Sequence, residues 1–198
     1  MKKILLGMTN QAKTRIIRAA LETLAVEVIT PSDLGIHIDV REDSQSTEEN
    51  AKKKARTYFA ESHIPTLAID GGLHIEKFQE EKQPGVLVRR IYGIDRGATD
   101  EEVLQYYMRE LDKIGGESIG IWRGSIVLVV SDEEIFSDTF TFKTLLTSRR
   151  EGSMTVGAPL DALMIEPTTG KYYSKMDLTD RPDAKWVFEF VEQHIGAL

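Results

Sequence analysis

A chain of 198 residues, 41% of them hydrophobic, is long enough for one well-formed core and ordinary for a globular protein. Its formal net charge of −7 argues against broad nucleic-acid binding, which needs a basic face, but allows a small anion held by a few focused lysines and arginines. No cysteine means no disulfide framework, thiol nucleophile or Cys-ligated zinc, and no apolar run approaches the roughly 20 residues of a membrane span, so a cytoplasmic protein with no membrane partner is expected.

"MKKILLGMTN" starts like a signal peptide, but Thr9, Asn10 and Gln11 cut the apolar run short; it reads instead as a buried first strand ended by Gly7. From Lys13 to Leu24 the apolar residues Ile16, Ile17, Ala20, Leu21 and Leu24 form one helical face. "VEVIT" is strand-like and "PSDLG" is turn chemistry. Ser46 with Glu49 three positions on forms a capping box, which predicts a helix from about Thr47 to Ser62. "TLAID" predicts a strand broken by Gly71 and Gly72, with "LHIEKF" as another. Asp100 to Ile114 predicts a helix with Val103, Leu104, Tyr107 and Leu111 on its apolar face. "IWRGSIVLVV" and "IFSDTFTFKTLL", separated by "SDEE", read as a long hairpin, and "ALMIEP" as a short strand. A last helix starts near Pro182 and buries Trp186, Phe190 and Val191.

Several motifs carry candidate chemistry. "GESIG" (116–120) matches a nucleophile-elbow pattern, but a helix precedes it and a strand follows, the reverse of the required context. His37, His63, His74 and His194 are scattered, with no two at metal-ligand spacing. "GMTNQAKTR" places Lys13 in the first turn of a helix, where backbone N–H groups favour anions; an ordinary turn with a solvated lysine is the plain alternative. "EENAKKKA" could be a solvated helix face, yet Lys54 follows Asn50 by one turn, so the two project from the same side. Asp70 ends an apolar strand just before Gly71-Gly72, where an acid can serve as a metal ligand or a base.

These blocks, together with "PGVLVRR", "GAPLDAL" and "KMDLTDRPDA", stand in the order of the inosine triphosphate pyrophosphatase family (the Ham/Rdg type), which the chain resembles from Lys3 to about Ile195. Enzymes of that family hydrolyse non-standard purine nucleoside triphosphates to monophosphate and pyrophosphate. The resemblance implies an α/β fold over residues 1–198 as a single domain: a long twisted mixed β-sheet flanked by helices, in two lobes with a central cleft. It also implies Mg²⁺ as cofactor, a nucleoside triphosphate as partner and a homodimer. By the same resemblance Asn10, Lys13 and Lys54 hold the triphosphate, Glu42 and Asp70 hold the metal, and Asp70 activates the attacking water. Arg90, Asp161, Lys175, Asp180 and Arg181 fall at its further substrate-binding positions.

The departures gather at the base end. Ile69 stands where the family has a first acid, Gly71 where it has serine, and Met8 where it has threonine. Ala158 replaces the aromatic that stacks on the purine, followed by Pro159 for a glycine, and Thr179-Asp180-Arg181 replaces Ser-His-Arg. Losing a stacked aromatic forfeits about 1–3 kcal/mol. Ionised Asp180 offers only acceptors where a 6-oxo purine wants a donor. The expected activity is therefore a metal-dependent triphosphate pyrophosphatase with altered base preference. Its rivals are a catalytically weakened nucleotide-binding or regulatory paralogue, motivated by Ile69 and Gly71, and a structural interaction protein.

Overall fold

The computed structural model describes residues 1–89, 91 and 98–198; Arg90 lies outside the described residues. In chain order the regular elements are β1 (Lys2–Leu6), α1 (Gln11–Leu21), β2 (Val26–Ile29), α2 (Thr47–Ser62), β3 (Thr66–Ile75), α3 (Asp100–Asp112), β4 (Glu117–Val129), β5 (Ile135–Thr147), β6 (Met164–Ile165) and α4 (Pro182–His194). The strands form a mixed sheet in the order β2-β1-β3-β4-β5-β6, with β1 parallel to both β2 and β3 and β5 antiparallel to β6. The expected mixed α/β fold is what the chain adopts.

Two compact units share the chain, one of Met1–Gly71, Gly124–Phe140 and Leu178–Leu198, the other of Gly72–Arg123 and Thr141–Asp177. In the first, Ile4, Leu6, Leu67 and Ile69 of the strands meet Ile17 and Leu21 of α1 and Val187 and Val191 of α4 in one core. Ala51 and Ala55 of α2 pack with Ala68, Val127 and Val129 in a separate cluster. Small residues there let α2 lie close to the sheet. The second unit buries Leu73 and Ile75 with Val103, Leu104, Tyr107 and Leu111, the apolar stripe expected for α3.

Three expectations need correction. Gly71 and Gly72 do not break a strand: β3 runs continuously from Thr66 to Ile75. A Cβ at position 72 would stand 2.9 Å from the Gly85 carbonyl oxygen, and Leu73 and Gly85 exchange backbone hydrogen bonds of 2.9 and 3.0 Å. The glycine is therefore an approach site for another backbone, not a turn. At α2 only half of the capping box forms: Ser46 Oγ accepts from Glu49 N at 3.3 Å, while the Glu49 carboxylate takes the Ser44 hydroxyl. Trp186 is partly rather than fully buried, because its Nε1 reaches out to donate to Asp138 at 2.9 Å.

Gly72→Ala is expected to destabilise the protein by about 1–3 kcal/mol, since the clash is with backbone that is itself hydrogen-bonded. Thermal unfolding followed by circular dichroism should show a melting temperature lower by about 3–10 °C. An unchanged value would mean that the Gly85 segment yields freely.

Candidate functional site

Strand alternation decides where Asp70 points. Leu67 and Ile69 enter the core shared with α1 and α4, while Ala68 faces α2, so Asp70 faces α2 as well. Asn50 and Lys54, one turn apart, each immediately precede one of the two alanines that seat this helix. Asn50 Nδ2 donates to Asp70 Oδ2 at 3.2 Å, and Lys54 Nζ donates to Asp70 Oδ1 at 3.1 Å and to the Ile69 carbonyl at 3.0 Å. Lys54 and Asp70 are only 6% and 5% exposed, so this ion pair is held out of water. Of the three consecutive lysines, Lys52 is exposed, Lys53 pairs with exposed Asp43 at 3.0 Å, and Lys54 alone turns inward onto Asp70.

Glu42 reaches the same ammonium from an irregular segment. Ile36, Ile38 and Val40 alternate inward against Leu5, Ile29 and Tyr58, and the Tyr58 hydroxyl donates to the Ile38 carbonyl at 3.1 Å. Continued by two residues, that alternation presents Glu42 on the inward side, where its Oε2 lies 3.3 Å from Lys54 Nζ. Ser44 steadies the partner of Asp70: its N–H donates to Asn50 Oδ1 at 3.1 Å and its carbonyl accepts from Asn50 Nδ2 at 3.0 Å. The sequence carried a signal for Glu42, the period-two pattern of "IHIDVRE", and none for Ser44.

The turn after β1 adds the second lysine. Asn10 is the N-cap of α1, its Oδ1 accepting from Lys13 N at 3.0 Å. Burial pushes the Lys13 ammonium below the usual lysine range and the Lys54 charge pushes it further, against the pull of Asp70, Glu42 and Asp183. Asp183 was not singled out from the sequence. It sits in the first turn of α4, and its carboxylate grips the buried Arg181 guanidinium at two points, 3.1 Å from Nε and 3.3 Å from Nη2. Such a fork fixes both the guanidinium and its plane. Asp180 ends a short 3-10 turn, Leu178–Asp180, that packs against α1, and its side chain is exposed.

Thus Asn10, Lys13, Glu42, Lys54, Asp70, Asp180 and Arg181 all belong to the first unit, and Lys13, Glu42, Lys54 and Asp70 share one field of charge. Asp161 and Lys175 belong to the second. Asp161 is buried in a 3-10 turn, Pro159–Ala162, capped by Ala158, and Lys175 is exposed and paired with Glu151. The Gly157 N–H that precedes this turn is anchored on Asp100 Oδ2 at 2.7 Å. Ser118 of the elbow-like motif is buried within β4 and accepts from Lys77 N at 3.1 Å, a structural role as its context implied. Among the described residues no cluster of three or more His, Asp or Glu is placed to hold a metal, and no helix is long and apolar enough to cross a membrane.

Residues 4–182 match the model of the Ham1 family. A dITP/XTP pyrophosphatase of Thermoanaerobacter sp. is 30% identical over 150 residues, which cover 76% of this chain and 70% of the relative. One from Aquifex aeolicus is 37% identical over 99 residues, 50% of this chain and 46% of the relative. The chain spans about half the length of several such curated relatives. Among solved structures, a HAM1 protein from Coxiella burnetii superposes with a TM-score of 0.76 at 21% identity over 100% of both chains. The Staphylococcus aureus Ham1 protein gives 0.70 at 21% identity, over 98% of this chain and 100% of that one. These two likenesses concern the fold. The resemblance drawn from "TNQAK", "EENAKKKA" and "LAIDGGLHIEKF" is borne out, and the chain belongs to the Ham1 family.

Proposed function

We propose that the chain is a metal-dependent nucleoside triphosphate pyrophosphatase whose base preference departs from the inosine and xanthosine type. The observation that carries this reading is the gathering of Glu42 and Lys13 in the field of the buried Lys54–Asp70 ion pair, in a chain whose curated relatives are dITP/XTP pyrophosphatases. Two carboxylates from different segments converging on one cation suit Mg²⁺, which takes one or two protein carboxylates and completes its shell with phosphate oxygens and water. Glu42 and Asp70 would hold it. Bound there, it would neutralise phosphate charge and make water a better nucleophile.

The rest of the chemistry belongs to the side chains. Water attacks the α-phosphorus in line, the bond from that phosphorus to the bridging oxygen breaks, and pyrophosphate leaves. Asp70 orients that water and receives its proton. Asn50 on one carboxylate oxygen and Lys54 on the other fix the direction in which the remaining lone pairs point. Lys13 and Lys54 neutralise the charge that develops on the leaving phosphates. Asn10, by capping α1, keeps the first-turn N–H groups in register for the phosphate tail. Arg181, held in the same unit by Asp183, adds a substrate contact. The reading extends to a cytoplasmic homodimer, which light scattering tests.

A pyrophosphate-release screen across standard, deaminated, oxidised and pyrimidine triphosphates, with and without Mg²⁺, tests the reaction. Release with at least one triphosphate, dependent on metal, is expected. Binding without release would favour a regulatory paralogue. That second reading draws on Ile69, whose side chain fills the apolar core on the face of β3 opposite Asp70, where the family has an acid.

The base preference has its own test. Ala158 gives no ring to stack on a purine, and exposed Asp180 offers acceptors only. The double variant Ala158→Phe with Asp180→His is expected to shift kcat/KM toward inosine over adenosine triphosphate by about tenfold, or 1.4 kcal/mol. A strong inosine preference in the unaltered protein would overturn this part of the proposal.

A further inference from the structure

The metal-binding reading leaves one feature unexplained: the position between the two carboxylates is filled by the protein itself. Lys54 Nζ has Asp70 Oδ1 at 3.1 Å, Glu42 Oε2 at 3.3 Å and the Ile69 carbonyl oxygen at 3.0 Å. An ammonium has three donors, and here three oxygens from two segments surround it. The lysine stem is buried in α2, seated by Ala51 and Ala55, so the ammonium does not swing in from solvent. We infer that Lys54 is a built-in stand-in for the divalent cation, so that metal enters only together with phosphates that draw the ammonium off Asp70 and Glu42. The inference rests on the nucleotide-hydrolase reading above and adds an order of events to it.

Charge balance supports this. Lys13 and Lys54 carry two positive charges, Asp70 and Glu42 two negative ones, and Arg181 is matched by Asp183, so these six charges balance. A divalent cation arriving alone would have to share both carboxylates with an ammonium about 3 Å from each, in a setting where like charges are poorly screened. Arriving with a triphosphate, it brings the anion that an ammonium prefers. Lys54 then exchanges carboxylate partners for phosphate oxygens, which frees the oxygens of Asp70 and Glu42 that it had held. Glu42 is suited to such an exchange, since its side chain is 44% exposed and comes from an irregular segment, whereas Asp70 is fixed by Asn50.

Mn²⁺ binding in the absence of nucleotide, followed by electron paramagnetic resonance, tests the inference directly. Lys54→Met is expected to bind Mn²⁺ alone about tenfold or more tighter than the unaltered protein. Equal or weaker binding by a folded Lys54→Met protein overturns it. Removing a buried ammonium can unfold the chain, so the unaltered protein supplies a second arm. Its Lys54 side-chain ¹³Cε signal, assigned with Lys54→Arg, is expected to stay in place with millimolar Mg²⁺ alone and to shift with Mg²⁺ plus inorganic triphosphate. A shift with Mg²⁺ alone overturns the inference. Neither arm requires turnover. Absence of pyrophosphate release would therefore count against the hydrolase and leave these outcomes readable, while nucleotide-free metal binding by the unaltered protein as tight as that of Lys54→Met would count against the stand-in and leave hydrolysis standing.

Discussion

Asp70→Asn is expected to lower triphosphate hydrolysis by at least about a hundredfold while the protein remains folded, the scale seen when one preorganised electrostatic partner is removed from an active site. The substitution keeps the shape of the side chain and deletes one charge. Its amide can still accept from Lys54 or from Asn50, which now hold the two carboxylate oxygens at 3.1 and 3.2 Å, but its NH₂ must face the other donor. Breaking a buried ion pair outright costs about 3–5 kcal/mol. Here the loss should be smaller, because Glu42 remains 3.3 Å from the same ammonium. Steady-state pyrophosphate release together with a thermal unfolding curve separates the two effects. Unchanged turnover would remove Asp70 from the mechanism. A lost unfolding transition would instead assign it to the fold.

Lys13→Ala and Lys54→Ala are each expected to weaken triphosphate binding by about 10- to 100-fold, measured calorimetrically without divalent metal, and monophosphate binding far less. A charge-assisted hydrogen bond is worth about 1.5–3 kcal/mol, and both ammonium groups are assigned to the phosphate tail. Equal loss for the two ligands would point to a base-side or structural role. Lys13 adds a pH signature. Burial, then the Lys54 charge, lower its pKa below the ordinary lysine value, with Asp70, Glu42 and Asp183 opposing. The unfolded chain thus holds this proton more tightly than the folded one. The lysine costs stability while it is charged in both states, and that cost is relieved as pH rises from the depressed value toward the unfolded value. Triphosphate affinity should change the other way, falling as pH rises through the depressed value. A ¹³Cε titration of metal-free protein checks the direction: Lys13 should lose its proton before the exposed lysines, and Lys54→Met should move it back up. A Lys13 titration coincident with the surface lysines would remove the electrostatic link between the two amines.

Much of this was legible in the residues. The Ser46–Glu49 signal predicted a helix from about Thr47 to about Ser62, and α2 spans Thr47–Ser62. The one-turn spacing of Asn50 and Lys54 was sufficient to put both on one side, and the structure adds what they share, the carboxylate of Asp70. The family blocks identified the Ham1 family through 4–182. Glycine pairs were the weak point. Gly71-Gly72 looks like a turn in any local window, since glycine's tolerance of turns is intrinsic while its tolerance of a close backbone neighbour depends on a residue thirteen positions away.

What the sequence determined by itself is local: where helices begin, which strand face is apolar, which residues carry charge and which family the blocks belong to. Tertiary structure alone decided who meets whom. No window around "KKKA" says that Lys53 ends on Asp43 in solvent while Lys54 ends between Asp70 and Glu42 in the interior. Nothing near "RPDA" says that Asp183, besides gripping Arg181, lies within the electrostatic reach of Lys13 on another helix. The reason is range. Propensity, capping and periodicity act within a few residues, whereas the field at a buried ammonium is summed over charges that packing brings together from distant segments and that burial leaves unscreened.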